Sequence, residues 1–108
     1  MTNNKILTLL GFAAKAGKLS YGMDSAIEAV LKSKSKLVVA AEDISPKSKK
    51  EIAFYSDKIG VKVLVVDTLN IENISHAIGK RCGIVSVNDE SFANGIMNAS
   101  IMGGNANE

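Results

Sequence analysis

The sequence predicts an α/β fold, a three-layer α/β/α sandwich with a small, largely parallel or mixed central sheet. Three observations carry this. The apolar runs LVVAA, VKVLVV and IVSV read as strands, the first of them buried on both faces. Segments with apolar residues at helical spacing lie between them. Glycines at 17, 60 and 79 stand where helices would stop in a left-handed cap. Strands that alternate with helices place helices on both faces of one sheet. The chain has 108 residues, 46% hydrophobic and 22% charged, which suits one globular domain over residues 1–102 with a disordered tail, GGNANE.

Each element has its own signal. Residues 4–16 are helical because Ile6, Leu9, Leu10 and Ala13 recur on one face, and Gly17 ends them. A short extended piece, 18–21, is an edge-strand candidate. The second helix covers 24–33, with Met23, Ile27, Val30 and Leu31 inward and Asp24 complementing the dipole. Lys32, Lys34 and Lys36 alternate with serine, which reads as a solvated turn, with a phosphate contact as the minority reading. Residues 37–41 form the central strand, and Glu42 and Asp43 follow at its end. Ser45-Pro46 caps the third helix, which runs to about 59 with Ile52, Ala53, Ser56 and Ile59 inward. Lys47, Lys49 and Lys50 sit on its first turns, at the unfavourable end of its dipole. The next strand spans 61–66. Thr68 caps a helix from 69 to 78 with Ile71, Ile74 and Ile78 inward. Lys80, Arg81, Cys82 and Gly83 form a basic loop before the strand 84–87. Asn88 then caps the last helix, where Phe92, Ala93, Ile96 and Met97 pack inward.

Composition excludes several functions. Lone Cys82 forms no internal disulfide, and with His76 as the only histidine no zinc site is expected. No apolar run spans a bilayer, and the N-terminus MTNNKILTLL lacks a signal-peptide layout, so the reading is a soluble cytoplasmic protein without membrane partner, metal or cofactor. The net charge of +2 is too small to imply nucleic-acid binding by itself, so clustering must carry that case. There is no GxSxG, P-loop or GxGxxG motif. Cys82 beside Arg81, with His76 as base, is a minority catalytic reading. Glu42 and Asp43 suggest a receiver-type acidic pocket, but Asp67 and Lys80 do not fall in the order that such a pocket needs.

Two glycine-bearing basic loops remain, 18–25 and 79–83. At one edge of a sandwich their cations would hold phosphates, and the backbone at a helix start would approach unpaired or non-Watson–Crick bases. Equally, both are readable as ordinary helix ends with surface charge.

The segments LLGFAAKAGKLSYG, KLVVAAEDISPKSKK, VKVLVVDT and HAIGKRCGIVSV stand in an order and spacing that resembles the ribosomal protein L7Ae family, especially its short bacterial, ribosome-associated members. The resemblance covers residues 5–96. It implies a non-enzymatic protein that binds structured RNA, ribosomal RNA foremost, by gripping a kink-turn with its sheared G·A pairs. Ribosomal proteins are further partners that it implies. The family's signature glycine matches Gly22, and its polar pair, commonly Asn-Glu, aligns with Asp24 and Ser25. Its basic residue one turn later aligns with Glu28, and its second contact loop aligns with Lys80, Arg81, Cys82, Gly83 and Ile84. Lys18 and Lys32 are the cations placed to compensate for Glu28. Asp24, which keeps acceptor oxygens but loses the amide donor of asparagine, Ser25 and Glu28 depart from the pattern, which implies weaker G·A recognition or another ribosomal RNA feature. The rival reading is a protein-interaction module that kept the fold and lost kink-turn recognition.

Overall fold

A computed structural model of the chain describes residues 2–106, with side chains from residue 5 to residue 101. The elements follow as α1 (Thr2–Lys15), β1 (Leu19–Tyr21), α2 (Met23–Leu31), β2 (Leu37–Ala41), α3 (Pro46–Ile59), β3 (Val63–Val66), α4 (Ile71–Ile78), β4 (Ile84–Val87) and α5 (Glu90–Ala106). The sheet order is β1-β4-β2-β3. β2 runs parallel to β3, whereas β4 runs antiparallel to both β1 and β2.

The sheet is therefore mixed rather than largely parallel. The reason lies in how α4 returns the chain. The start of α4 packs on the start of β4, so β4 enters the sheet at the end where β3 leaves it. Gly83 marks that contact: a Cβ there would stand 2.8 Å from Ile71 Cγ1 and 2.9 Å from Ile44 Cγ2.

β2 holds the centre. All five of its residues are buried, and they alternate between the two faces. Leu37, Val39 and Ala41 join Val85 and Val87 under α1, α4 and α5, which contribute Ile6, Leu10, Ile74 and Ile96. Val38 and Ala40 join Ile84 under α2 and α3, which contribute Ala26, Val30 and Ile52. β3 is an edge strand, with Val65 41% exposed.

Several expectations hold locally. Gly17, Gly60 and Gly79 all take positive φ at helix ends. Ser45 Oγ accepts the Ser48 N–H (3.1 Å), with Pro46 opening α3. Others change. Thr68 does not cap α4. Asn70 does so, in a reciprocal box: its Oδ1 accepts the Asn73 N–H, and Asn73 Oδ1 accepts the Asn70 N–H, both at 2.8 Å. The helix then begins at Ile71, whose N–H is taken by Asp43 Oδ1 (2.8 Å). Asn88 does not cap α5 either; Asp89 Oδ1 accepts the Phe92 N–H (2.9 Å). Leu31 and Ile59, expected inward, lie at helix ends and are 48% and 42% exposed; Ala26 and Ala29 take the buried face of α2. The strand expected over 61–66 begins only at Val63. The backbone of α5 is helical to Ala106, past the expected boundary at residue 102; residues 107–108 lie outside the described residues.

Gly83→Ala should lower unfolding free energy by about 1–3 kcal/mol, because two β-branched neighbours must shift to admit the methyl group. Urea denaturation measures this, and an unchanged midpoint contradicts the packing role.

Candidate nucleic-acid interface

α1 ends in a glycine cap in which the Lys18 N–H donates to the Ala13 carbonyl (2.9 Å). The chain then enters β1, which pairs Leu19 with Val87 and Tyr21 with Val85. Asn88 fastens this strand: its Nδ2 donates to Ser20 Oγ (2.9 Å) and its Oδ1 accepts from Ser86 Oγ (2.6 Å). That use of its side chain is why Asn88 is not a helix cap.

Gly22 turns the chain from β1 into α2. Its N–H donates to the Ile84 carbonyl (2.8 Å). Its φ of 88° and ψ of 169° lie in a region essentially closed to other residues. A Cβ would meet nothing within 4 Å, so conformation rather than space demands glycine. No side chain caps the start of α2. Its first-turn N–H groups are therefore left without a side-chain acceptor, with Asp24 and Ser25 exposed beside them.

Between β1 and α2 runs an open groove of about 330 Å³. Ser20, Tyr21, Ser25, Glu28, Lys32 and Lys34 line it, and Lys80 closes one end from the loop after α4. The Lys80 ammonium stands 5.2 Å from the centre of the Tyr21 ring, a cation–π contact that joins the two loops. Cys82 joins them a second time. Ser75 Oγ accepts its N–H (3.0 Å) and donates to its carbonyl (3.1 Å), which pins the loop to α4. The Cys82 thiol itself lies against the backbone N–H groups of Gly22 and Ile84. Burial pushes this thiol above the ordinary range, outweighing those N–H groups and the Lys80 charge, which pull it down. That is the reverse of an activated nucleophile.

Glu28 and Lys32 form an ion pair of 2.8 Å one turn apart on α2. The hydrogen bond and charge of Lys32 hold the Glu28 carboxyl below its ordinary value. Lys32 thus answers Glu28 by pairing with it directly.

The ten residues singled out by sequence do not all meet. Ser25, Glu28, Lys32 and Lys80 line the groove. Gly22 and Cys82 build the junction at its end. Gly83 is a packing residue between Ile71 and Ile44. Lys18, Asp24 and Arg81 are exposed but outside the groove lining. The sequence reading spans Ser20 and Tyr21 in its loop 18–25 without singling them out, since a three-residue strand gives no periodicity to flag, and it holds a phosphate contact at Lys34 only as the minority reading. Among the described residues no group of three His, Cys, Asp or Glu side chains is placed to hold a metal, and no helix is long and apolar enough to cross a membrane.

Iodoacetamide should alkylate Cys82 more slowly than free cysteine at pH 7, with the rate climbing as pH rises through the elevated thiol pKa. Fast alkylation at neutral pH contradicts the buried, unactivated thiol.

The family model described as "Ribosomal protein L7Ae/L30e/S12e/Gadd45 family" matches residues 4–96. The large ribosomal subunit protein eL30 of Candida glabrata is 33% identical over 90 residues, 82% of this chain and 85% of that protein. A Bacillus halodurans protein of unknown function has a solved structure similar to this one, with TM-score 0.83 and 29% identity over 88% of this chain and 95% of that one. The Giardia lamblia 15.5kD RNA binding protein shares the fold, with TM-score 0.77 and 17% identity over 91% and 83% of the two chains. With the family's pattern running through nearly every element of the sandwich, the chain belongs to the ribosomal protein L7Ae/L30e/S12e/Gadd45 family.

Proposed function

We propose that this protein is a non-enzymatic, ribosome-associated RNA-binding protein of the cytoplasm. Its groove between β1 and α2, with the 79–83 loop, would recognise a kink-turn or a related structured element of ribosomal RNA. One observation carries the reading: the loop after α4 meets the β1–α2 turn, with the Lys80 ammonium over the Tyr21 ring and the Cys82 thiol beside the Gly22 backbone. Two separate basic loops become one surface in this way. Family membership and the name of the Giardia relative support RNA as the partner.

The chemistry divides by position. Lys34 and Lys80 stand at opposite ends of the groove, where they would hold phosphates and fix register. The uncapped N–H groups of α2, the Asp24 carboxylate and the Ser25 hydroxyl would approach bases. Asp24 offers acceptors suited to guanine N1–H and N2–H₂. The bases reached this way are the splayed or sheared ones, since a regular RNA helix hides its base edges.

The Glu28–Lys32 pair favours a second reading, in which the same face docks a ribosomal or assembly protein. Its centre is nearly neutral, which suits a protein surface as well as RNA.

Titration against a kink-turn RNA and a matched duplex lacking the G·A pairs, at two salt concentrations, separates them. The expected result is tighter binding to the kink-turn. Replacing Lys80 and Arg81 together with Ala should weaken both RNAs and reduce the salt slope by about 1–2. Glu28→Gln should tighten binding to both RNAs, because it frees Lys32. Absence of binding to either RNA supports the protein partner.

A further inference from the structure

One end of the sheet gathers lysines that the chain disperses. β1 and β2 are both antiparallel to β4, and β3 is parallel to β2, so all three run in one sense. Their first residues lie at one end, and a lysine precedes each: Lys18, Lys36 and Lys62. Backbone hydrogen bonds hold these positions in a row. The Asn88 N–H donates to the Lys18 carbonyl (2.8 Å), the Lys36 N–H to the Val87 carbonyl (2.8 Å), and the Val38 N–H to the Lys62 carbonyl (2.9 Å). α2 and α3 both descend from the opposite end, which brings Lys34 and Lys58 to the same place. All five are exposed. With strands about 4.8 Å apart, the row spans on the order of 15 Å.

This end is positive on balance. Its carboxylates are Asp57, Asp89 and Glu90, with Glu28 close enough to Lys34 to feel its charge, and Asp89 is occupied in capping α5. None pairs with these lysines; among the described residues the ion pair is Lys32 with Glu28. Glu42, Asp43, Asp67 and Glu72 lie toward the opposite end, after β2 and β3 and in the first turn of α4. A helix dipole accounts for Lys58 at the close of α3, but not for lysines that precede strands. Lys34 lines the groove as well, so the groove opens directly onto this end.

We infer that the lysine end is a second RNA contact, a sequence-independent track for the phosphodiester backbone of the strand that leaves the groove past Lys34. The route of that strand rests on the RNA reading of the groove; the affinity of the end for a polyanion does not. Lys58 lies over the exposed Phe54 ring (5.5 Å to its centre), and among the described residues the other four lysines have no ring contact, which suits backbone contact more than base readout.

The test compares wild type, the triple variant Lys34→Ala/Lys36→Ala/Lys62→Ala, and the groove variant Lys80→Ala/Arg81→Ala. The probes are a short oligouridylate and a kink-turn RNA with and without a single-stranded extension. Wild type should bind oligouridylate weakly and salt-sensitively, and the triple variant should lose several-fold with a salt slope lower by about 2. Wild type should prefer the extended kink-turn RNA, and the triple variant should bind both lengths alike. The groove variant should weaken both lengths equally and keep its oligouridylate binding. Thermal melts check folding; if the Ala variant melts early, Lys→Gln at the same positions replaces it. Unchanged oligouridylate affinity and slope in the triple variant overturn the track. So does polyglutamate that binds this end as strongly as RNA does. If wild type shows no kink-turn preference, the groove reading falls while the oligouridylate arm still decides the track.

Discussion

The three-residue pairing of β1 with β4 is the contact on which the candidate site depends. So short a strand is not stable alone. It holds because Leu19 is buried and because Asn88 ties Ser20 to Ser86 across the pair. From that pairing the rest follows. The Gly22 N–H reaches the Ile84 carbonyl, α2 starts at a fixed point, and the groove acquires its wall. The 79–83 loop, which feeds β4, is brought beside the β1–α2 turn by the same register.

Glu28 and Lys32 then set the character of that groove. An exposed pair of this kind adds little to stability. Its larger effect is on the surface, since it cancels a positive charge midway between Lys34 and Lys80. Cations are left at the two ends, with the Ser20 and Ser25 hydroxyls between them. Such an arrangement separates placement from recognition: the ends attract a backbone, and the middle offers hydrogen bonds.

Much of the fold was legible in the sequence because local chemistry decided it. Five consecutive apolar residues made β2 a buried strand, and glycine at 17, 60 and 79 stopped helices through a conformation that favours it. What was not legible depended on distant partners. The antiparallel direction of β4 goes with a long-range contact, Ile71 close against Gly83, which no local pattern reports. Thr68 and Asn70 both have cap chemistry, and the reciprocal Asn70–Asn73 box prevails because it satisfies two N–H groups at once. Of the candidate site, the approach of two glycine-bearing basic loops was foreseeable from an α/β/α plan. The place of Tyr21 was not, since it depends on where the other loop falls, and Lys34 stood there only as a minority phosphate contact, since its place in the groove depends on where α2 ends.

β3, at the far edge from β1, bears on how copies of the chain meet one another. Its outer side presents unpaired backbone groups beside a half-wet Val65, the usual template for sheet growth between molecules. Lys62 and Asp67 bracket it with opposite charges, so two such edges meeting head to tail would attract rather than repel. The safeguard is brevity. Four residues offer few hydrogen bonds to a second edge, so brevity limits pairing where the flanking charges do not guard against it.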